Sequence, residues 1–475
     1  MFSKANITGM EHVRDSSDAT VDPCLISGGV VREIHRNARH SIYVGRGSNG
    51  WMWAGAQRSA LVLGPPRSGK TSSLVIPNIL LSDGPVVSTS TKPDVLRATA
   101  VARGRDGWAL LYDPSGEVEC PKGVERVGWS PLHGASNWDT AVATADAMVR
   151  SSRHGGSPAV EHHWTERAGA LLSVLLHAAA SQELGVRHLL HWIDRHDGAE
   201  ALEILSGSGS EDVATDLLTG IVATDPREQS GIWSTASGVL AAYRAESVLA
   251  STEAPPLDLR AFADGSNALY ICSTGRRQRQ FAPLVVALLG DVRDVTYARV
   301  RQGVVGAPTL LALDEVANIA PIPDLPAMVS EGGGQGLLVL ACLQDLSQAR
   351  ERWGAAADGF MSLFGTTVVL RGIADMATLR AISVLAGEHE VASTNLTRSV
   401  GSWGRIRPTA SVAASRVARL SPDAIARGVP GHAIVLGPHK EVHSVALTPS
   451  HHQGPWRPLT VGAHQRDDVV AARGR

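Results

Sequence analysis

The sequence predicts an α/β protein: a mostly parallel central sheet, with an all-alpha segment inserted into the chain. Three observations carry this. Short apolar runs alternate with helical patterns in the first third of the chain and return in the last. One such run, Ala60–Leu63, feeds through a glycine-bounded loop into a helix. Between about Asn137 and Arg260 no strand pattern occurs at all.

The loop is the best-defined element. Leu61 to Leu81 reads LVLGPPRSGKTSSLVIPNILL, matching the phosphate-cradle pattern GxxxxGK[ST] in the order strand, loop, helix. The chain holds only five lysines in 475 residues, so Lys70 at the required place is a specific signal. Gly64 and Gly69 can take backbone angles closed to other residues, which lets the N–H groups of Pro66-flanked Arg67, Ser68 and Gly69 turn inward. The helix beginning at Thr71 adds its unpaired N–H groups and the positive end of its dipole. The expected nucleotide-binding set is therefore Gly64, Pro65, Pro66, Arg67, Ser68, Gly69, Lys70 and Thr71, with Lys70 on the terminal phosphates and the Thr71 hydroxyl on a magnesium ion. The implied ligands are ATP and Mg2+.

Taken in order, residues 1–40 are polar and weakly patterned and are expected to be loosely ordered or to form a small entry element. His40 to Trp53 reads as a hairpin leading to the loop strand. Pro85–Ser90 and Trp108–Tyr112 are the next strands, the latter ending at Asp113-Pro114. Thr140–Val149, Glu166–Ala180 and Ile232–Leu249 carry apolar residues at helical spacing, separated by Gly/Ser-rich breaks. Strand signals resume at Asn267–Cys272, Thr309–Leu313, Gly336–Cys342, Thr366–Leu370 and Ala433–Leu436. The domain scheme is then 41–135 with 266–448 as one α/β unit, 136–265 as the helical insertion, and 449–475 as a disordered tail.

Composition limits the function classes. Hydrophobic residues make up 44% and charged residues 19%, which suits a soluble globular protein. The net charge is −2, so no global basic field points to nucleic acid, and any such contact must rest on local charge. Four widely spaced cysteines fit no metal motif, and Cys272 and Cys342 sit in apolar runs as core residues. The first residues, MFSKANITGMEHVRDSSDA, lack an apolar signal core, and the run Ala168–Leu176 falls short of the roughly 18 residues a membrane span needs. A cytoplasmic location is expected, with recruitment to the inner face of the plasma membrane by a partner.

The run TLLALDEVANI, Thr309 to Ile319, is an apolar strand ending in two acids, the Walker B form. Asp314 would hold the magnesium, and Glu315 would polarise the attacking water. Lys70 and Asp314 stand 244 residues apart, which leaves room for the helical insertion.

At this point the residues resemble the type IV coupling proteins of conjugative DNA transfer, the TraG/TraD type, within the FtsK/HerA-like class of DNA-pumping ATPases. The similar stretches are GPPRSGKT (Gly64–Thr71), STKPDVL (Ser90–Leu96), DPSG with WSPL (Asp113–Gly116, Trp129–Leu132) and STGRRQRQFAPLVVALL (Ser273–Leu289). LDEVANIAPIPDLPAMVSEGGGQG (Leu313–Gly336), LQDLSQARERWG (Leu343–Gly354) and VVLRGIADMATL (Val368–Leu379) complete them. The resemblance implies a RecA-like P-loop motor carrying an all-alpha domain and working as a homo-hexamer. It also implies DNA, single-stranded in the first reading, a relaxase or relaxosome, and type IV secretion channel components as partners. Gln344, at the end of the strand beside Walker B, would sense the γ-phosphate; the alternative is a strand-end glutamine bonded to backbone.

Two departures stand out. Many coupling proteins carry an N-terminal membrane anchor, and none is visible here. Where many relatives have a basic residue after Walker B, this chain has Glu331-Gly332-Gly333-Gly334-Gln335. Arg352, with Arg350 beside it, is the preferred arginine finger, and Arg276, Arg277 and Arg279 are the second choice. Two further readings stay open: an FtsK-like double-stranded DNA translocase, and a non-hydrolysing docking adaptor for secretion substrates.

Overall fold

The computed structural model describes residues 28–152, 158–207, 213–273, 278–304, 306–400, 406–439, 441–451 and 456–460. Its strands form wherever a short apolar or β-branched run meets a turn. β1 (Tyr43–Gly47) and β2 (Gly50–Trp53) make the expected hairpin, and β3 (Ala60–Leu63), β4 (Val86–Ser90) and β5 (Ala109–Tyr112) alternate with helices. β6 (Glu125–Arg126) is a two-residue strand. After a purely helical stretch come β7 (Ala268–Cys272), β8 (Thr309–Leu313), β9 (Leu337–Leu343) and β10 (Thr366–Leu370). β11 (Glu388–Val400) and β12 (Ile406–Ala418) pair with each other, and β13 (His432–Leu436) and β14 (Val442–Ala446) follow.

Twelve of these strands form one sheet in the order β2-β1-β14-β13-β10-β3-β9-β8-β4-β7-β5-β6. The run from β10 to β6 is parallel, and the four strands beyond β10 are antiparallel. In the parallel part helices cover both faces, so β3, β4, β5, β7, β8, β9 and β10 are buried along their whole length. Their period-two alternation sorts the side chains. Leu61, Leu63, Leu311 and Leu313 face one core; Ala60, Val62, Leu310 and Ala312 face the other.

The second core receives the helix after the phosphate loop through Leu74 and Ile79. The first runs without a break into the helical stretch, joining Leu313 and Leu343 to Leu171, Leu175 and Trp233. The helices from Trp138–Ser151 to Leu259–Ala263 carry that stretch, with no strand among its described residues. A polar tie crosses the same boundary, Arg150 Nη2 donating to Asp324 Oδ1 at 2.7 Å, and within the α/β unit Trp129 Nε1 donates to Asp291 Oδ2 at 2.8 Å.

The expected β1–β2 hairpin leads along the chain to β3 and lies at the far edge of the sheet, four strands away. The expectation of a disordered tail from 449 is corrected where it is described, because Trp456 is 1% exposed against Tyr43 and Trp51; residues 452–455 and 461–475 lie outside the described residues. Residues 28–40 include a helix, Gly28–Asn37, while 1–27 lie outside the described residues. The hairpin β11–β12, in register from Glu388↔Ala418 to Val400↔Ile406, fills a stretch for which the sequence suggested no element. Cys272 and Cys342 are core residues as expected, and burial pushes the Cys272 thiol up to about 12.

Candidate active site

All parallel strands end at one edge, and β3, β9 and β8 lie side by side there. Gly64, Gln344 and Asp314, the residues that follow them, are thereby brought together. The phosphate loop leaves β3 at Gly64, whose N–H donates to the Leu343 carbonyl at 3.1 Å. A Cβ at Gly64 would lie 2.7 Å from Ser68 Oγ and 2.9 Å from Leu370 Cβ, so only glycine lets the loop close. Gly69 has φ +99°, a conformation natural to glycine, whereas Arg67 holds φ +64° with a full side chain. The helix opens with a π-helical turn, Thr71–Val75, before its α-helical part, Ile76–Leu81. Buried Asn78 pins that helix to β1: its Nδ2 donates to the Tyr43 carbonyl at 2.9 Å and its Oδ1 accepts from the Tyr43 N–H at 2.8 Å.

Inside this frame Lys70 is 8% exposed and folds back over the loop, donating to the carbonyls of Gly64 and, at 3.1 Å, Pro65. Thr71 Oγ1 donates to Asp314 Oδ2 at 2.7 Å, joining the loop to β8 across 243 residues of chain. Asp314 is 7% exposed, and its own N–H donates to the Thr89 carbonyl of β4 at 3.2 Å. Burial raises the Asp314 carboxyl above its ordinary range, opposed by the Thr71 hydrogen bond and by the charges of Lys70 and Lys92. Lys92, for which sequence gave no chemistry, thus sits close enough to act on this carboxylate from the end of the neighbouring strand.

Glu315 is half-buried and starts the short helix Val316–Ile319 from the left-handed region, φ +57° and ψ +48°. Its Oε2 accepts from Asn318 Nδ2 at 3.4 Å. A non-glycine residue held there is strained by about 1 kcal/mol or more, and that strain turns it away from the strand line Asp314 continues. The backbone N–H of Gln344 donates to Gln348 Oε1 at 2.9 Å.

On the other side of the loop lies a cleft of about 690 Å³, which sequence reasoning missed. Pro65 to Gly69 form one wall, and Arg371, His432 and His451 stand among the residues of the other. His451 belongs to a strap after β14 that crosses the helix, where the Ser450 N–H donates to the Ser72 carbonyl at 2.8 Å. No short motif links these positions; only β10, β13 and β14 do, by leading the chain back to the loop.

Comparison with known families adds one decisive match. Residues 25–436 fit the family described as type IV secretory system conjugative DNA transfer. The chain belongs to this family. Against curated proteins it finds no significant match. Among solved structures, the unbound bacterial conjugative coupling protein TrwB lacking its N-terminal segment has 20% identity and a TM-score of 0.66, over 91% of this chain and 93% of that one. TrwB in complex with ADP and Mg2+ gives 20% identity and 0.62 over 92% and 95%, and TrwB with the non-hydrolysable ATP analogue ADPNP gives 19% and 0.63 over the same shares. These likenesses fix the fold as mixed α/β with a large, mostly parallel, RecA-like sheet.

Within that family fold, the arginine candidates fall in different places. Arg350 Nε donates to Asp358 Oδ1 at 3.0 Å, and its Nη1 lies 3.8 Å from Asp375 Oδ2, so it is held within its own chain. Arg352 sits half-exposed on the same helix, Leu346–Trp353. Arg276 and Arg277 lie outside the described residues, as does the side chain of Arg279. The glycines at 332–334 precede β9 and so lie at the opposite sheet edge, about 20 Å from the site by strand length. A Cβ at Gly333 would lie 1.9 Å from the Gln57 carbonyl, which gives that glycine a packing role. Among the described residues no helix is long and apolar enough to cross a membrane.

Proposed function

We propose that this chain is a magnesium-dependent ATPase that moves single-stranded DNA towards a type IV secretion channel. The observation that carries the reading is the 2.7 Å contact between Thr71 and Asp314 beside Lys70, in a chain of the conjugative DNA-transfer family. A half-buried hydroxyl on a buried carboxylate is the pair a divalent ion needs next to phosphate. The buried, unpartnered hydroxyl of Ser68 inside the loop fits a phosphate oxygen in the same way. TrwB, the solved relative in fold, binds ADP with Mg2+ and an ATP analogue, which supports the same ligands here.

The residues then divide the work. Lys70 exchanges its two loop carbonyls for the terminal phosphates, while the loop N–H groups from Arg67 to Thr71 bind the rest of the chain of phosphates. Thr71 and Asp314 hold the magnesium, which when bound neutralises charge on the phosphate oxygens. Glu315 accepts a proton from the attacking water, and Gln344 orients towards the γ-phosphate. The nucleoside occupies the cleft between the loop, Arg371 and His451. Arg352 of a neighbouring copy in a hexamer supplies transition-state charge, an effect worth about 10³–10⁵ in rate. The α/β unit, 41–135 with 266–448, is the motor; the helical insertion, 136–265, contacts a relaxase or relaxosome. A partner subunit holds the assembly at the inner face of the membrane.

The test is ATP turnover by the purified chain with no DNA, with single-stranded DNA and with duplex DNA, alongside Lys70→Ala. The proposal expects the highest rate with single strands and none in the variant. Stronger stimulation by duplex would point to a double-stranded translocase, and tight ATP binding without turnover to a docking adaptor; either result contradicts the proposal.

A further inference from the structure

Far from the phosphate edge, a second set of polar side chains converges. His35 lies on the helix Gly28–Asn37, His40 just beyond it, and Asp83 in the turn between the phosphate-loop helix and β4. His35 Nδ1 is 3.4 Å and His40 Nδ1 2.8 Å from the same oxygen, Asp83 Oδ1, and all three atoms lie within 4.8 Å of one another. His35 is 6% exposed, its ring covered by Trp53 at 6.0 Å between centroids. The other carboxylate oxygen is held by Arg36 Nε at 3.1 Å.

The backbone gives independent support. Arg39 and His40 are consecutive non-glycine residues in the left-handed region, φ +53° and +55°. Two such residues cost about 1–2 kcal/mol each, and together they turn the chain back so that the His40 ring reaches Asp83. A strained turn that delivers a second imidazole to an already paired carboxylate is more than a surface ion pair requires.

We propose that His35, His40 and Asp83 bind one divalent transition-metal ion of the zinc class. Two imidazole nitrogens and one carboxylate oxygen, with water in the fourth position, are a common zinc donor set. Zinc bonds of about 2.0–2.1 Å at a tetrahedral angle place neighbouring donors about 3.3 Å apart, and the separations of 3.4 and 2.8 Å straddle that value. Burial lowers the His35 pKa and favours the neutral ring that a metal needs, while Asp83 is held ionised by the two histidines despite the opposing burial. Arg36 orients the carboxylate from outside the ligand set. The ion would clasp the first described helix to the end of the phosphate-loop helix, a structural role separate from magnesium at Asp314.

The experiment uses the full chain without an added histidine tag, stripped with chelator and titrated with zinc chloride. Metal content after dialysis, calorimetric titration and trypsin cleavage after Arg36 and Arg39 are followed. The expected result is one bound zinc per chain and cleavage slowed about tenfold by zinc. Both effects should vanish in Asp83→Asn and in His40→Gln. The latter changes a partly exposed side chain and keeps a folded chain as reference. Wild-type protein that retains no zinc, or His40→Gln that binds it as tightly as wild type, overturns the proposal in favour of a metal-free hydrogen-bonded cluster.

Discussion

The two sides of the proposed nucleotide site are built by different rules. At the proposed phosphate end, Lys70 and Asp314 are buried and Thr71 is half-buried; Lys70 contacts the loop, Thr71 contacts Asp314, and the strands that deliver them, β3 and β8, flank β9 with little latitude. At the proposed nucleoside end, Arg371, His432 and His451 line a cleft from three separate stretches of chain. The contrast teaches where chemistry constrains sequence. Holding phosphate and a divalent ion demands particular residue types at particular spacing, whereas holding a base and a sugar demands mainly a shape.

This comparison breaks or sharpens under substitution. The largest effect is expected for Lys70→Ala, which removes the buried cation of the loop: kcat/KM for ATP should fall by about 10³ or more, read by steady-state turnover. Asp314→Asn keeps the shape but weakens the ion's anchor, and a loss of about 10²-fold with a raised magnesium requirement is expected. Arg371→Ala acts at the other end, where a rise of about tenfold in KM with kcat little changed would mark uniform binding. If Arg371→Ala lowered kcat as far as Lys70→Ala does, the two ends would not differ as described.

Smallest, and away from both ends, is Asp291. Burial pushes its carboxyl up to about 7, against the opposing hydrogen bond from Trp129. A folded-state value above the unfolded one means that the native chain binds this proton more tightly. The stabilisation is therefore complete below about pH 4, the unfolded value, and is lost as pH rises through 7. Asp291→Asn should shrink the fall in Tm between pH 5 and pH 8, with turnover at pH 7 unchanged.

How much of this was legible in the sequence follows the same division. The phosphate loop, the β8 acids and the strand ending at Gln344 were readable because each is an apolar run punctuated by a residue type with one chemical use. The helical insertion was readable from its apolar spacing. The wall of the cleft was not, since Arg371, His432 and His451 come together only when β13 and β14 turn antiparallel beside β10. Nor was the hairpin β11–β12: Glu388 to Val400 alternates weakly and reads as polar, and its strands are fixed by pairing with each other. The burial of the tail has one signal in the sequence, a lone tryptophan, Trp456, in a stretch rich in His and Pro. Such a large apolar side chain is seldom left in solvent without reason.

The claim on which the rest stands is that Glu315 activates water at a site closed by Thr71 and Asp314. Single-turnover hydrolysis of pre-bound ATP by Glu315→Gln, compared with its equilibrium ATP affinity, tests it most directly. The account predicts affinity close to wild type with cleavage slowed by about 10²-fold or more. Cleavage at the wild-type rate in that variant would contradict it.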